Sequence, residues 1–110
     1  MVKSWPSATF AALADPVRCS VVERLGAGAL SAGELASHTG SSPSSISRHL
    51  KVLLDAGLVE DDRSPVDARV RLFHLRTDGL AATSAWLDQV QAHWRDNLVS
   101  FRSHVEKRGL

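Results

Sequence analysis

The stretch Ser31–Val59, SAGELASHTGSSPSSISRHLKVLLDAGLV, holds two helix beginnings and two helix ends in close succession. Ser31 followed three positions later by Glu34 is a capping box. The hydroxyl accepts from the amide of Glu34, and the carboxylate reaches back to the amide of Ser31. A short helix follows, with Leu35 and Ala36 turned inward, and Thr39 and Gly40 stop it. Ser42 and Pro43 then spell a second cap and first-turn residue, because the amide that proline lacks would be unpaired there anyway. Only a few residues separate the two helices, the spacing of a helix-turn-helix. The second one runs from Pro43 to about Ala56 with Ile46, Leu50, Leu53 and Leu54 on one face, and Gly57 sits where a left-handed C-terminal residue is wanted. At about 100° per residue, Ser44, Arg48 and Lys51 fall nearly opposite that stripe, Ser45 and Ser47 flank them, and His49 is only partly turned out. The outer side of this helix is therefore a short-polar, cationic surface.

Upstream, Ala8–Leu13 carries Phe10 and Leu13 among alanines at helical spacing, and Asp15 with Pro16 reads as cap and first turn of another helix. That helix extends to about Leu25. Val17, Val21, Val22 and Leu25 form its single apolar stripe, and Gly26 and Gly28 end it. Downstream, Leu58 and Val59 lead into an acid-rich run and then the turn-rich Ser64–Asp67. After it, Val70, Leu72, His74 and Arg76 alternate with Arg69, Arg71, Phe73 and Leu75. Two short strands joined by a loop suit this pattern. The second should have both faces partly covered, since Leu72, Phe73 and Leu75 fall on both parities. From Thr77 or Asp78, each suited to a cap, Leu87, Val90, Trp94, Leu98, Phe101 and Val105 recur with a period of 3.6 residues. A helix of about 25 residues or more spans roughly 40 Å, longer than the body of so small a domain. Its apolar stripe would face water in a monomer, so a symmetric dimer is expected, with Phe10, Trp86, Val90, Trp94, Leu98 and Phe101 at the seam.

The 110 residues, 44% hydrophobic and 23% charged, are sized for one compact soluble domain over 1–110. Thirteen Lys and Arg stand against twelve Asp and Glu, so the net charge of +1 does not by itself announce a nucleic-acid partner. No apolar run approaches the roughly 20 residues of a membrane helix, and Met1–Pro6 lacks the apolar core of a signal peptide, which makes the cytoplasm the expected compartment. Cys19 is the single cysteine and cannot form a disulfide within the chain. There is no internal repeat, and no low-complexity tract beyond the serines of 41–47. No nucleophile elbow, glycine-rich phosphate loop or His-Glu-x-x-His motif is present, so neither an enzyme nor a cofactor is expected.

Helix, helix, capped short helix, tight turn, exposed-polar helix, two strands and long terminal helix is the order of a winged helix-turn-helix. The expected fold is mainly α with a small β wing: five helices and a two-stranded hairpin, the helix-turn-helix over about 31–56, the wing over 58–76 and a dimerisation helix over 78–107. The segments FAALADPVRCSVVERL, AGELASHTGSSPSSISRHLKVLLDAGLVEDD and ARVRLFHLRTDGL resemble the ArsR-type bacterial transcriptional repressors, in the branch without a cysteine metal box. The resemblance spans about residues 8–105 and is most specific in SSISRHLKVLLDAGLV. It implies a homodimer on double-stranded DNA at a palindromic operator. In each copy the fourth helix would enter the major groove and the loop between the strands would touch backbone or minor groove.

The residue chemistry agrees with that implication. Hydroxyls of Ser42, Ser44, Ser45 and Ser47 can donate to phosphate or to base edges, and Arg48 can reach guanine in bidentate fashion. Ser42 and Pro43 put a helix N-terminus, with free amides, toward phosphate. Lys51, Arg63, Arg69 and Arg71 offer further phosphate partners, although Asp61, Asp62 and Asp67 weaken the wing. In the plainer reading the serines only cap, and Arg48 and Lys51 are only solvated. His49 suits either a phosphate contact or packing between helices. A rival function, a winged helix kept for protein contacts with DNA binding lost, draws on the near-neutral charge and the acids of the wing.

What such a regulator would sense is not legible. The Cys-x-Cys motif that carries metal near the capping box is absent, Gly33–Ser37 standing in its place. His93 and His104 have the eleven-residue spacing of a second family site, yet Gln91 and Lys107 occupy its supporting positions, so no metal is expected. Asp88, Asp96 or Glu106 would supply ligands only with different geometry. Cys19 stands where the family usually has arginine. It suits a small buried filler, or a redox group acting with a second thiol, beside Arg18. Trp5, Trp86 and Trp94 suit packing or the lining of an organic-ligand cavity.

Overall fold

A computed structural model describes residues 6–109. Helices α1 (Ser7–Leu13), α2 (Pro16–Leu25), α3 (Ala32–Thr39), α4 (Pro43–Asp55) and α5 (Thr77–Lys107) are joined with strands β1 (Leu30–Ser31), β2 (Val59–Arg63) and β3 (Arg71–Leu75). The helix starts follow the local chemistry. Asp15 Oδ1 accepts from the amides of Val17 at 2.8 Å and Arg18 at 3.2 Å, with Pro16 in the first turn. The Arg18 amide, with help from that of Val17, holds the Asp15 carboxyl below the usual carboxylate range. Both halves of the Ser31–Glu34 capping box form, and Ser42 Oγ accepts from the Ser45 amide at 3.2 Å. Gly40 ends α3 at φ 66°, a left-handed conformation that glycine adopts without penalty.

The expected winged helix-turn-helix is present, with one correction to its sheet. The expected two-stranded hairpin is a three-stranded antiparallel sheet of order β1-β3-β2, in which Leu30 pairs with Phe73 and Ser31 with Leu72. Two residues are too short a strand to show a two-residue period, and the capping signal of Ser31 dominates that position. β3 is also narrower than the alternation suggested. Val70 closes the wing turn by donating to Asp67 O, and Arg76 lies beyond the strand. Neither Thr77 nor Asp78 caps α5. Arg76 holds the cap position without a side-chain cap bond, and its guanidinium pairs with Asp78 in the first turn.

The core lies where the stripes of α2, α3 and α4 meet β3. Val21, Leu25, Leu35, Ile46, Leu50, Leu53, Leu58, Val59 and Phe73 are all buried. Truncating a fully buried leucine such as Leu53 to alanine costs about 2–5 kcal/mol, so this cluster fixes the angle between α4 and the sheet. Within β3, Phe73 is buried while Leu72 and Leu75 are half-buried, as the mixed parity implied. The long terminal helix behaves differently. Its buried residues are Gly79 and Thr83, and everything from 91 to 100 is exposed, with Trp94 at 64% and Leu98 and Phe101 at 67% of full exposure. The molecule measures 70 × 28 × 26 Å. Among the described residues no helix is long and apolar enough to cross a membrane.

Candidate nucleic-acid interface

Helix α4 offers the surface that its sequence implied. With Ile46, Leu50 and Leu53 in the core, Ser44, Ser47, Arg48 and Lys51 are exposed on the other side, and Ser45 is half-buried. Ser42 is occupied as the cap, and its hydroxyl shares a hydrogen bond with Ser44 at 3.3 Å. Arg48 makes no ion pair among the described residues. Lys51 reaches Asp55 one turn on at 3.1 Å in an exposed pair, which exchanges readily with solvent or another anion.

His49 points elsewhere. It is half-buried, and its Nδ1 accepts a hydrogen bond at 3.1 Å from Nη1 of Arg18 on α2. The same guanidinium donates through Nε to the carbonyl of Ala12 near the end of α1. Sequence reading passed over Arg18 in this role, because its partner lies 31 residues away and no local pattern marks the pair. Asp55 was legible in principle from its four-residue offset to Lys51.

The wing is a lattice of compensated charge. Arg69 grips Asp67 with Nε and Nη2, both at 3.0 Å, and this holds the Asp67 carboxyl below its usual range. Arg71 pairs with Asp61 at 2.7 Å and lies over the Phe73 ring, 5.1 Å from its centroid. The His74 ring contacts Asp62 at 3.0 Å, and that hydrogen bond pushes the imidazole pKa up, with smaller contributions from the backbone of Leu75 and the charge of Glu60. Ser64 orders the turn by accepting from the amides of Val66 and Asp67. Arg63 lies directly across the ladder from Arg71 and makes no ion pair among the described residues. Like charges placed so oppose each other, and the Asp61 carboxylate paired with Arg71 offsets part of that repulsion. A cleft of about 470 Å³ separates α4 from the wing, lined by Ser47, Leu50, Lys51, Leu54, Arg69 and Phe73 among others.

The remaining candidates are dispersed. Cys19, the single cysteine, is half-buried and donates through Sγ to Leu13 O at 3.0 Å. His93 accepts from the Asn97 amide at 3.1 Å on the exposed face of α5, and His104 is exposed beyond it. Among the described residues no three His, Cys, Asp or Glu side chains are placed to hold a metal ion. Trp86 and Trp94 line a hollow of about 550 Å³ on α5, and Phe10 of α1 meets Trp86 edge to face, with ring centroids 5.9 Å apart. Trp5 lies outside the described residues.

Comparison with known proteins matches this geometry. Residues 13–62 fit a helix-turn-helix domain profile, covering α2 through most of β2. The chain is 38% identical to the HTH-type transcriptional regulator Rv2034 of Mycobacterium tuberculosis over 104 residues, 94% of this chain and 92% of that one. It is 39% identical to the transcriptional repressor SdpR of Bacillus subtilis over 54 residues, 49% of this chain and 60% of the repressor. The crystal structure of an ArsR family transcriptional regulator superposes with a TM-score of 0.72 at 31% identity, over 81% of this chain and 94% of that one. The chain belongs to the ArsR-type winged helix-turn-helix family. It is a DNA-binding transcriptional regulator.

Proposed function

We propose that the protein is a repressor that binds a palindromic operator as a homodimer in the cytoplasm, and that regulation rather than catalysis is its role. The observation that carries this reading is the pairing of two exposed faces. Helix α4 presents Ser44, Ser47, Arg48 and Lys51, and α5 presents an uncovered stripe through Trp94, Leu98 and Phe101, with Val90 half-buried at its start. A second copy packed on the stripe, joined by Phe10 and Trp86, relates two α4 helices by a two-fold axis. They would then enter successive major grooves about 34 Å apart. In this arrangement residues 31–56 read the bases, with Arg48 as the guanine reader. Ser42, Ser45 and His49 meet the flanking phosphates, residues 58–76 bring Arg63, Arg69 and Arg71 to the backbone, and residues 78–107 hold the dimer together. The likeness to SdpR over half the chain supports repression.

The test is a fluorescence-anisotropy titration against the DNA upstream of the chain's own gene, at two salt concentrations, beside sedimentation of the wild type and Trp94→Ala. Tight binding that falls steeply with salt, and a dimer loosened by the substitution, are expected. Indifference to DNA at low salt would instead favour a module for protein contacts. The same titration with zinc, chelator, reductant and peroxide separates the possible signals. Release by zinc would implicate His93 and His104, and release by peroxide would implicate Cys19.

A further inference from the structure

The guanidinium of Arg18 joins three helices. Its Nε–H donates to Ala12 O at 2.5 Å near the end of α1, its own backbone lies in the first turn of α2, and its Nη1 donates to His49 Nδ1 at 3.1 Å on α4. A guanidinium carries only donors, so the ring nitrogen that faces it must accept, and the neutral imidazole then carries its single proton on Nε2. His49 stands on the flank of α4, between the buried stripe and the exposed face, half-exposed and with no other hydrogen bond among the described residues. Asp15, at the start of α2, is itself occupied by the amides of Val17 and Arg18.

We infer that Arg18 is a positioning residue for DNA binding: it fixes His49 in the Nε2–H tautomer so that this N–H donates to a backbone phosphate beside the reading helix. The inference rests on the proposal that α4 is the DNA-contacting helix. It accounts for a residue pair that a purely packing role would fill with apolar side chains, and it makes the α1–α2 junction part of the reading surface.

Two readouts test it. Long-range nitrogen–proton NMR of the His49 ring in the DNA-free full-length protein reports the tautomer directly. The Nε2-protonated form is expected in the wild type, and a mixture in Arg18→Lys, whose compact ammonium lacks the planar fork that reaches Ala12 O through Nε and Nδ1 through Nη1. A wild-type ring protonated on Nδ1 would overturn the assignment whatever the protein does with DNA.

The second readout is anisotropy on a short duplex of arbitrary sequence, because a phosphate contact does not depend on base sequence. Arg18→Lys keeps the charge and is expected to bind about tenfold more weakly. His49→Asn leaves an acceptor near the Nδ1 position but no donor near Nε2, and should lose a similar factor. Its salt slope should be unchanged, since a neutral donor releases no counterion. The double variant should bind no more weakly than His49→Asn alone. Additive losses, wild-type affinity in Arg18→Lys, or a salt slope reduced by about one unit in His49→Asn would each refute the role assigned to Arg18. Failure of the α4 proposal would look different: Arg48→Ala would then bind the duplex as tightly as the wild type.

Discussion

Helix α4 and the wing both carry cations, and they hold them in opposite states. On α4 there are two, Arg48 with no acidic partner among the described residues and Lys51 in an exposed pair one turn long. In the segment from β2 to β3, three arginines meet four carboxylates, and Arg69 and Arg71 are each gripped by an aspartate while His74 leans on a third. The near-zero net charge of the chain therefore conceals a face with one unpaired arginine and one loosely paired lysine beside a face that neutralises most of its own charge. A phosphate approaching α4 finds a donor that is ready. One approaching the wing must displace Asp61 or Asp67, and the interaction it gains is reduced by the pair it breaks. Arg63 is the exception within the wing, set across the ladder from Arg71.

Three variants would break or sharpen this contrast. The largest effect is expected from Arg48→Ala, which should weaken operator binding by roughly 1–3 kcal/mol and relax specificity at one base pair, as read by titration against operator variants. An unchanged affinity would mean that α4 is not oriented with this face to DNA. Next is the double change Asp61→Asn with Asp67→Asn. By freeing Arg71 and Arg69 it should tighten binding modestly and steepen the salt dependence. If both affinity and slope stay as they were, the wing does not touch the backbone and its lattice is purely structural.

The smallest effect belongs to His74→Gln, read as thermal stability against pH. The Asp62 hydrogen bond raises the His74 pKa above its usual value near 6.5, so the folded state binds its proton more tightly than the unfolded chain. The resulting stabilisation is fully present below that unfolded value and is lost as pH rises through the higher folded one. The wild type should exceed the variant in Tm by at most a few degrees at mildly acidic pH, and the gap should close above neutrality. A gap independent of pH would assign the effect to packing.

Much of the fold was legible because its signals are local. Asp15–Pro16, Ser31 with Glu34, and Ser42–Pro43 each act within a few residues, where side-chain oxygen and backbone amide meet whatever the rest of the chain does. The periodicities of α4 and α5 were equally plain, and the exposed face of α4 followed from its buried one. β1 was hidden, because a two-residue strand exists only when Phe73 and Leu72 arrive beside it. The start of α5 was misplaced because Arg76, a residue with no capping preference, is held beside the sheet by the hydrogen bond its backbone N–H donates to Leu58 O.

The sequence by itself determined the helices, the turn between α3 and α4, and which residues could face DNA, since these depend on spacing and on the chemistry of neighbours. Only the tertiary structure decided which of those residues are free. The bridge from Arg18 to His49 spans 31 positions and the pair of Arg71 with Asp61 spans 10, so each depends on how helices pack and strands register. An ion pair or a tautomer is set by distances of about 3 Å, and distances on that scale between remote residues exist only once the core has closed.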